Sequence, residues 1–314
     1  MDKNQKPDFH PCAPTKVTWM GNVIDVLTMD SVTYEPVCIK LTADTYLNTL
    51  TGEVGQYQHI TNRAESYSSL RKTMSKIRTL INCNVTNPRN SHWVTLTYAT
   101  NMTDTKRLYK DFDRFWKRFR YFCAKQGYPD PKYISVVEPQ GRGAWHIHLL
   151  VLWSRPAPFI PNNKLAEIWG NGFVSIKCVP YCDNLGAYLT AYLTNMPEEE
   201  VRSLPSELKT EAYVSASLTG GVEPKKDVRG KKIIKGARLA LYPPGFNIYR
   251  HSRGIKMPVV IWTTNEDAQS LVSGTVETYH RDFEIVNENG VVLNRIRKAS
   301  YNSASKTKEG EKTC

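Results

Sequence analysis

The chain has 314 residues, with 42 Lys and Arg against 30 Asp and Glu and a net charge of +12, which leaves room for one large or two modest domains with real cores. No apolar run approaches the ~20 residues of a membrane span, and the polar N-terminus lacks a signal-peptide pattern. These features argue against a membrane protein and set the expectation of a cytoplasmic one. The seven cysteines are scattered, an odd number that fits reduced thiols rather than a disulfide framework. Cys178 and Cys182 stand close together, with no second pair to complete a zinc knuckle. The positive excess is concentrated: residues 62–126 hold 14 Lys and Arg against 4 acids, and residues 225–256 hold 10 against 1. Clustered charge with interspersed aromatics is the electrostatic footprint of a nucleic-acid binder; a membrane surface is the weaker reading.

Residues 1–60 are polar and irregular, with candidate strands at 16–27 and 36–41 and no evident role. Residues 62–82 read as a basic helix, with Leu70, Met74, Ile77 and Ile81 at helical spacing. A strand at 93–99 precedes a helix at 104–126. That helix carries Leu108, Phe112, Phe115, Phe119 and Phe122 on one stripe, and Lys106, Arg107, Lys110, Arg114, Lys117 and Arg118 off it. Strands at 133–138 and 144–153 flank a loop of turn residues, Pro139-Gln140-Gly141-Arg142-Gly143, which predicts an antiparallel hairpin. A short helix at 161–169 and a strand at 173–178 follow. A helix at 183–195 comes next, capped by Asp183 and stopped by Pro197.

The order β-α-β-β-α-β plus a helix predicts an α+β fold on the ferredoxin-like, split βαβ plan. In that plan the first and third strands are central and two crossover helices cover one face. The other face is left open for the last helix to cross. Beyond residue 197 the chain turns acidic, then Ser-rich, then strongly basic. Residues 241–254 mix aromatics with Arg250 and Arg253, and such a segment can stack bases and bind phosphate. A solvated extension is an equal alternative. After Tyr301 the polar tail reads as disordered.

His146-Ile147-His148 is the chemical centre of the sequence. On a strand alternate side chains share a face, so two imidazoles stand side by side while Ile147, Leu149 and Val151 point the other way to pack on helices. Alone, the pair is as well read as two ordinary histidines as it is a metal platform. Across the predicted hairpin, Glu138 falls opposite His146 or one step from it. A carboxylate with two imidazoles is a mixed site suited to Mn²⁺ or Mg²⁺ as well as Zn²⁺. On the 183–195 helix, Leu185, Leu189 and Leu193 form one stripe, and Tyr188 and Tyr192 form a second beside it. Core packing explains a lone tyrosine pair; behind a metal hairpin, a phenol becomes a candidate nucleophile.

Glu138, His146-Ile147-His148 and the tyrosine helix resemble the HUH endonucleases, in particular the rolling-circle replication initiators of plasmids and single-stranded DNA phages. Residues 92–98 resemble the first motif of that family, and the resemblance covers residues 91–195 in motif order. The tyrosine pair resembles the two-tyrosine branch, the gene A and gene II replication proteins. One departure is that family members often carry Lys three residues after the tyrosine, where this chain has Ala191 and Asn195.

The resemblance implies an HUH nuclease domain at 61–197, between an N-terminal region at 1–60 and a basic region at 198–300 with a tail at 301–314. It implies metal-dependent, site-specific nicking and rejoining of single-stranded origin DNA. Glu138, His146 and His148 would hold Mn²⁺ or Mg²⁺, with Zn²⁺ less favoured. Tyr188 or Tyr192 would attack to form a 5′-phosphotyrosine and leave a 3′-OH primer. Arg142, Lys117, Arg118, Arg250 and Arg253 are the candidate DNA contacts. The absence of a P-loop motif from the sequence makes a host helicase the expected partner, beside a host DNA polymerase. Relaxases and transposases share the chemistry, but tyrosines that follow the histidines favour the replication order. A non-catalytic RRM-like binding module is the alternative of another class.

Overall fold

The computed structural model describes residues 9–32, 36–57, 67–219, 222–227, 230–243 and 245–305. The fold is mixed α+β with antiparallel sheets. In chain order, β1 (Pro14–Met20) and β2 (Val23–Met29) precede β3 (Cys38–Lys40), β4 (Thr45–Asn48) and β5 (Val54–Gln56). Next come α1 (Tyr67–Asn84), β6 (Ser91–Thr97), α2 (Thr105–Lys125), β7 (Lys132–Pro139), β8 (Trp145–Leu152), α3 (Asn162–Trp169), β9 (Val174–Cys178) and α4 (Leu185–Thr194). These are followed by β10 (Met196–Pro197), α5 (Glu198–Arg202), α6 (Ser206–Thr219), β11 (Lys225–Lys226), β12 (Lys232–Ile234), a 3₁₀ turn at Ala237–Leu241 and β13 (Tyr249–His251). Then come β14 (Val259–Thr264), α7 (Asn265–Leu271) and the long hairpin of β15 (Val276–Val286) and β16 (Val292–Asn302).

Two compact units result. One is Asn62–Met257; the other joins Met1–Thr61 to Pro258–Cys314. The second unit exists because β1 pairs with β14 and β2 with β16, partners drawn from opposite ends of the chain. The sequence segmentation, cut at 60, 197 and 300, follows local composition, which holds no record of such pairing. The strand expected at 16–27 is in fact two strands, folded back through a turn at Gly21 and Asn22. The tail expected from 301 begins later, since Tyr301 and Asn302 are buried in β16; residues 306–314 lie outside the described residues. So do residues 62–66 of the expected basic helix, which runs from Tyr67 to Asn84.

The Asn62–Met257 unit is built on the sheet β13-β7-β8-β6-β9, every neighbour antiparallel. Strands β6 and β8 lie inside it, between β7 and β9. Asp104 caps α2 by accepting from the amides of Lys106 and Arg107. The α2 stripe then buries Leu108, Phe112, Phe115 and Phe119, each side chain contributing about 1.5–3 kcal/mol. Phe112 and Trp116 meet Tyr133 of β7 edge-on, with centroids 5.0 and 4.6 Å away. This places α2 on the sheet face that also carries Ile147 and Leu149, because the register sets Tyr133 opposite Val151. Phe122, at the end of the expected stripe, is only partly buried.

The histidine face is not bare, as the sequence alone suggests. Ile134, Val136 and Leu150 point to that side and are buried. The same continuous core takes in the inner stripes of α1 and α4, including Leu70, Ile77, Ile81, Leu185, Leu189 and Leu193. Asn184, not Asp183, caps α4, accepting from Ala187 N at 2.9 Å. The choice is tertiary: Asn82 of α1 donates to the Asn184 side chain at 3.0 Å and accepts from Gly186 N at 2.8 Å. Gly186 lets the two helices close up, for a Cβ there would come within 2.3 Å of the Arg78 carbonyl oxygen.

Candidate metal centre

The register that the short loop imposes sets Glu138 opposite His146, and Val136 opposite His148, while Thr95 of β6 faces His148 from the other side. Gly143 closes the loop at φ +82°, donating its N–H to the Gln140 carbonyl at 2.8 Å. Glu138, His146 and His148 therefore converge. One ligand atom from each lies within 4.8 Å of the others.

The surroundings fix these side chains. Glu138 Oε2 is bonded to His148 Nε2, and both side chains are 12 % exposed. The far nitrogen of His148, Nδ1, is 3.2 Å from Thr95 Oγ1, and the ring stacks on Trp93 at 5.4 Å. His146 Nδ1 is 3.2 Å from the Gln140 amide, which also accepts from Arg142 Nε at 3.1 Å. His146 Nε2 is buried with no hydrogen-bond partner among the described residues. A buried, unpartnered imidazole nitrogen beside a carboxylate and a second imidazole is what a metal site offers before its ion is in place. The residues fit a divalent cation.

Arg238 is the member that sequence reasoning missed. Its guanidinium, 6 % exposed, lies 2.9 Å from Glu138 Oε1 and 3.2 Å from Glu200 Oε2. It also donates to the carbonyls of Pro139 at 2.9 Å and Asn195 at 3.1 Å. Glu200 in turn accepts from Gly141 N at 2.9 Å. Arg238 thus ties together the hairpin loop, the carboxylate and the C-terminal end of α4. It is delivered by the 3₁₀ turn at Ala237–Leu241, whose Ala237 and Ala240 share a small-residue core with Ala212 and Ala216 of α6. Small side chains admit the backbone closely enough to bury a cation.

The electrostatics follow from these contacts. Burial by itself would raise the Glu138 carboxyl, but the His148 hydrogen bond and the charges of His148, Arg238 and His146 outweigh it and hold the group below the usual carboxylate value. Burial pushes His146 down to about 4, aided by the charges of His148, Arg142 and Arg238 and opposed by Glu138. At neutral pH that ring is uncharged and keeps a lone pair for a ligand.

The other expected site residues are spread more widely. Tyr188 is half-buried and packs against the core. Tyr192 lies on α4, with its side chain outside the described residues. Arg142, Lys117 and Arg253 are exposed. Arg118 gives hydrogen bonds to the carbonyls of Ile168 and Trp169 at the end of α3, both at 2.9 Å. Arg250 sits over the Tyr109 ring at 3.9 Å and pairs with Asp113 at 3.3 Å. The aromatics of 241–254 turn inward: Tyr242 is buried and bonds the Val137 carbonyl, while Phe246 stacks against Trp145.

Residues 91–197, about a third of the chain, match the model of a family described as replication-associated protein ORF2/gene II protein. The match runs from the first residue of β6 to the end of β10, so it contains Glu138, both histidines and the whole of α4. It supports a role as a replication initiator protein and the binding of DNA. No curated protein and no solved structure matches the chain. No helix among the described residues is long and apolar enough to cross a membrane.

Proposed function

We propose that this protein is a rolling-circle replication initiator that nicks and rejoins single-stranded origin DNA through a tyrosine ester. One observation carries the reading: Glu138, His146 and His148 converge inside the stretch that matches a replication-protein family. The strand order β7-β8-β6-β9 supports a ferredoxin-like HUH domain, with the histidine strand inside the sheet. Held by Glu138, His146 and His148, a divalent cation, Mn²⁺ or Mg²⁺ for this donor set, supplies charge neutralisation at the scissile phosphate.

The chain's own residues do the rest. Arg238 keeps Glu138 ionised and aimed, and Thr95 and Gln140 fix the two rings. The phenol oxygen of Tyr188 or Tyr192 attacks phosphorus and gives up its proton to a base or to water, because a free phenol titrates near 10. The bond from phosphorus to the 3′-oxygen breaks, and that oxygen takes up a proton to become a 3′-OH primer. The 5′-phosphotyrosine ester conserves the energy of the broken bond, so rejoining needs no ATP. Arg142, Lys117 and Arg253 are exposed for phosphate contact. A host helicase opens the duplex and a host polymerase extends the primer.

Incubation with a labelled single-stranded origin oligonucleotide and Mn²⁺ is expected to give a covalent adduct on a denaturing gel. Tyr188→Phe combined with Tyr192→Phe abolishes it, and so does His148→Ala. An adduct that survives the double tyrosine change sinks the nucleophile assignment. Full-rate cleavage by His148→Ala sinks the metal assignment.

A further inference from the structure

We propose that one face of the sheet β14-β1-β2-β16-β15 is a platform for single-stranded nucleic acid, distinct from the Glu138, His146 and His148 centre. The register draws one row of side chains across all five strands. Trp262 sits beside Lys16, Lys16 beside Leu27, Leu27 beside Lys298, and Lys298 beside Arg281. With strands about 4.8 Å apart, the row spans about 19 Å. On β15 the same face presents Tyr279 and Phe283 on either side of Arg281. Trp262, Tyr279 and Phe283 are 51, 45 and 39 % exposed.

The opposite face is the one that is covered. There Val17, Val26 and Ala299 pack with Ala268 and Val272. The acids Glu277 and Asp282 also lie on that side, close to His280, and Asp282 pairs with Arg297. On the bare face the described strand residues carry three cations, Lys16, Lys298 and Arg281, and one acid, Asp25, which accepts from Ser300 Oγ. No ion pair among the described residues takes up any of the three cations. Lys16 Nζ lies 5.9 Å from the Trp262 ring centre, and Arg281 Cζ lies 5.8 Å from that of Phe283.

An apolar protein partner would bury three unpaired cations. A single strand answers both features, since its phosphates meet the cations and its unpaired bases stack on the rings. Duplex DNA offers no free base faces. The choice of DNA over RNA rests on the function proposed above; the platform itself does not.

The test uses the full chain and a labelled oligo-dT on the order of 20 nucleotides, with affinity measured across a salt series. Lys16→Gln, Arg281→Gln and Lys298→Gln together are expected to lower the log–log salt slope by about 2. Trp262→Ala with Tyr279→Ala weakens binding about five-fold or more, while Trp262→Phe keeps most of it. These side chains are largely exposed, so circular dichroism and the unfolding midpoint check that each variant folds. Folded variants with unchanged slope and affinity overturn the proposal. So does a change in self-association with no change in affinity, which would make the face a contact between copies. Binding of oligo-rU without oligo-dT overturns the assignment to DNA. Adduct formation is read in the same samples. An adduct with no platform effect sinks the platform alone, whereas a platform effect with no adduct leaves the platform standing and removes the nicking reading.

Discussion

The chain builds two five-stranded antiparallel sheets and treats their faces in opposite ways. In the Asn62–Met257 unit both faces of β13-β7-β8-β6-β9 are sealed, with Ile147 and Leu149 buried on one side and Val136 and Leu150 on the other. In the other unit one face is packed under α7 and the second exposes Trp262, Tyr279 and Phe283. A sealed sheet must satisfy every polar group it takes in. That is why Glu138 there is bonded on both oxygens and Arg238 has four partners. An open face carries no such constraint, so its residues answer to what they bind. Substitutions should therefore cost stability in the first sheet and affinity in the second.

Arg238→Met is the largest expected break in this contrast. It keeps the apolar stem but leaves Glu138 and Glu200 without their cation, and the expected loss is about 3–5 kcal/mol in urea unfolding at neutral pH. The pH dependence has a fixed sign. The Glu138 carboxyl is held below its ordinary value, so its contribution is fully present above the unfolded value of 4.5 and is lost as pH falls through the lower folded one. In Arg238→Met part of that depression is gone, so the gap between variant and parent should narrow as pH falls through this range. His146 acts in the same direction over a higher window. Its folded value of about 4 lies below the unfolded 6.5, so the unfolded chain takes up a proton first and stability declines as pH drops from 6.5 toward 4. Without divalent cations, His146→Gln should flatten that decline. A gap that widens in acid would mean that Arg238 does not act through the carboxylate.

Gly186→Ala is the next largest. A methyl group 2.3 Å from the Arg78 carbonyl oxygen forces α4 off α1, an overpacking cost of about 1–3 kcal/mol. The same displacement moves Tyr188 and the Asn195 carbonyl that Arg238 grips. Adduct yield should therefore fall by more than the loss of folded protein explains, which single-turnover assays at a temperature where the variant is folded will show. Equal losses of yield and folded fraction would make α4 a packing element only.

How far the sequence carries depends on the range of the interaction. The hairpin register follows from the period of two and a short loop, both local, so the pairing of Glu138 with His146 could be read before any coordinates. The α2 stripe was readable for the same reason. Asn184 and Asp183 are both good caps, and only Asn82 on another helix decides between them. Arg238 lies far along the chain from Glu138, on a turn with no periodic signal. The β1 and β14 pairing joins the two ends of the sequence, so the exposed row on that sheet has no local signature at all.

The smallest expected effect is at the Asp30 and Arg295 pair. Its geometry is as good as that around Arg238, with Arg295 Nε 2.7 Å from Asp30 Oδ2 and a second bond at 3.1 Å. Distance alone would rank the two pairs together. Burial separates them, for Asp30 and Arg295 are 34 and 37 % exposed and water screens both charges in either state. Arg295→Ala should cost below about 1 kcal/mol, and the cost should shrink further in high salt, whereas the penalty of Arg238→Met should hardly respond to salt. Part of any Arg295 effect comes from packing, because its guanidinium lies 5.5 Å from the Phe9 ring centre. Arg295→Gln, which keeps the stem over the ring and removes the charge, isolates the ionic share. If that share matches the cost of Arg238→Met, the covering of the sheet is not what sets the price of losing a charge.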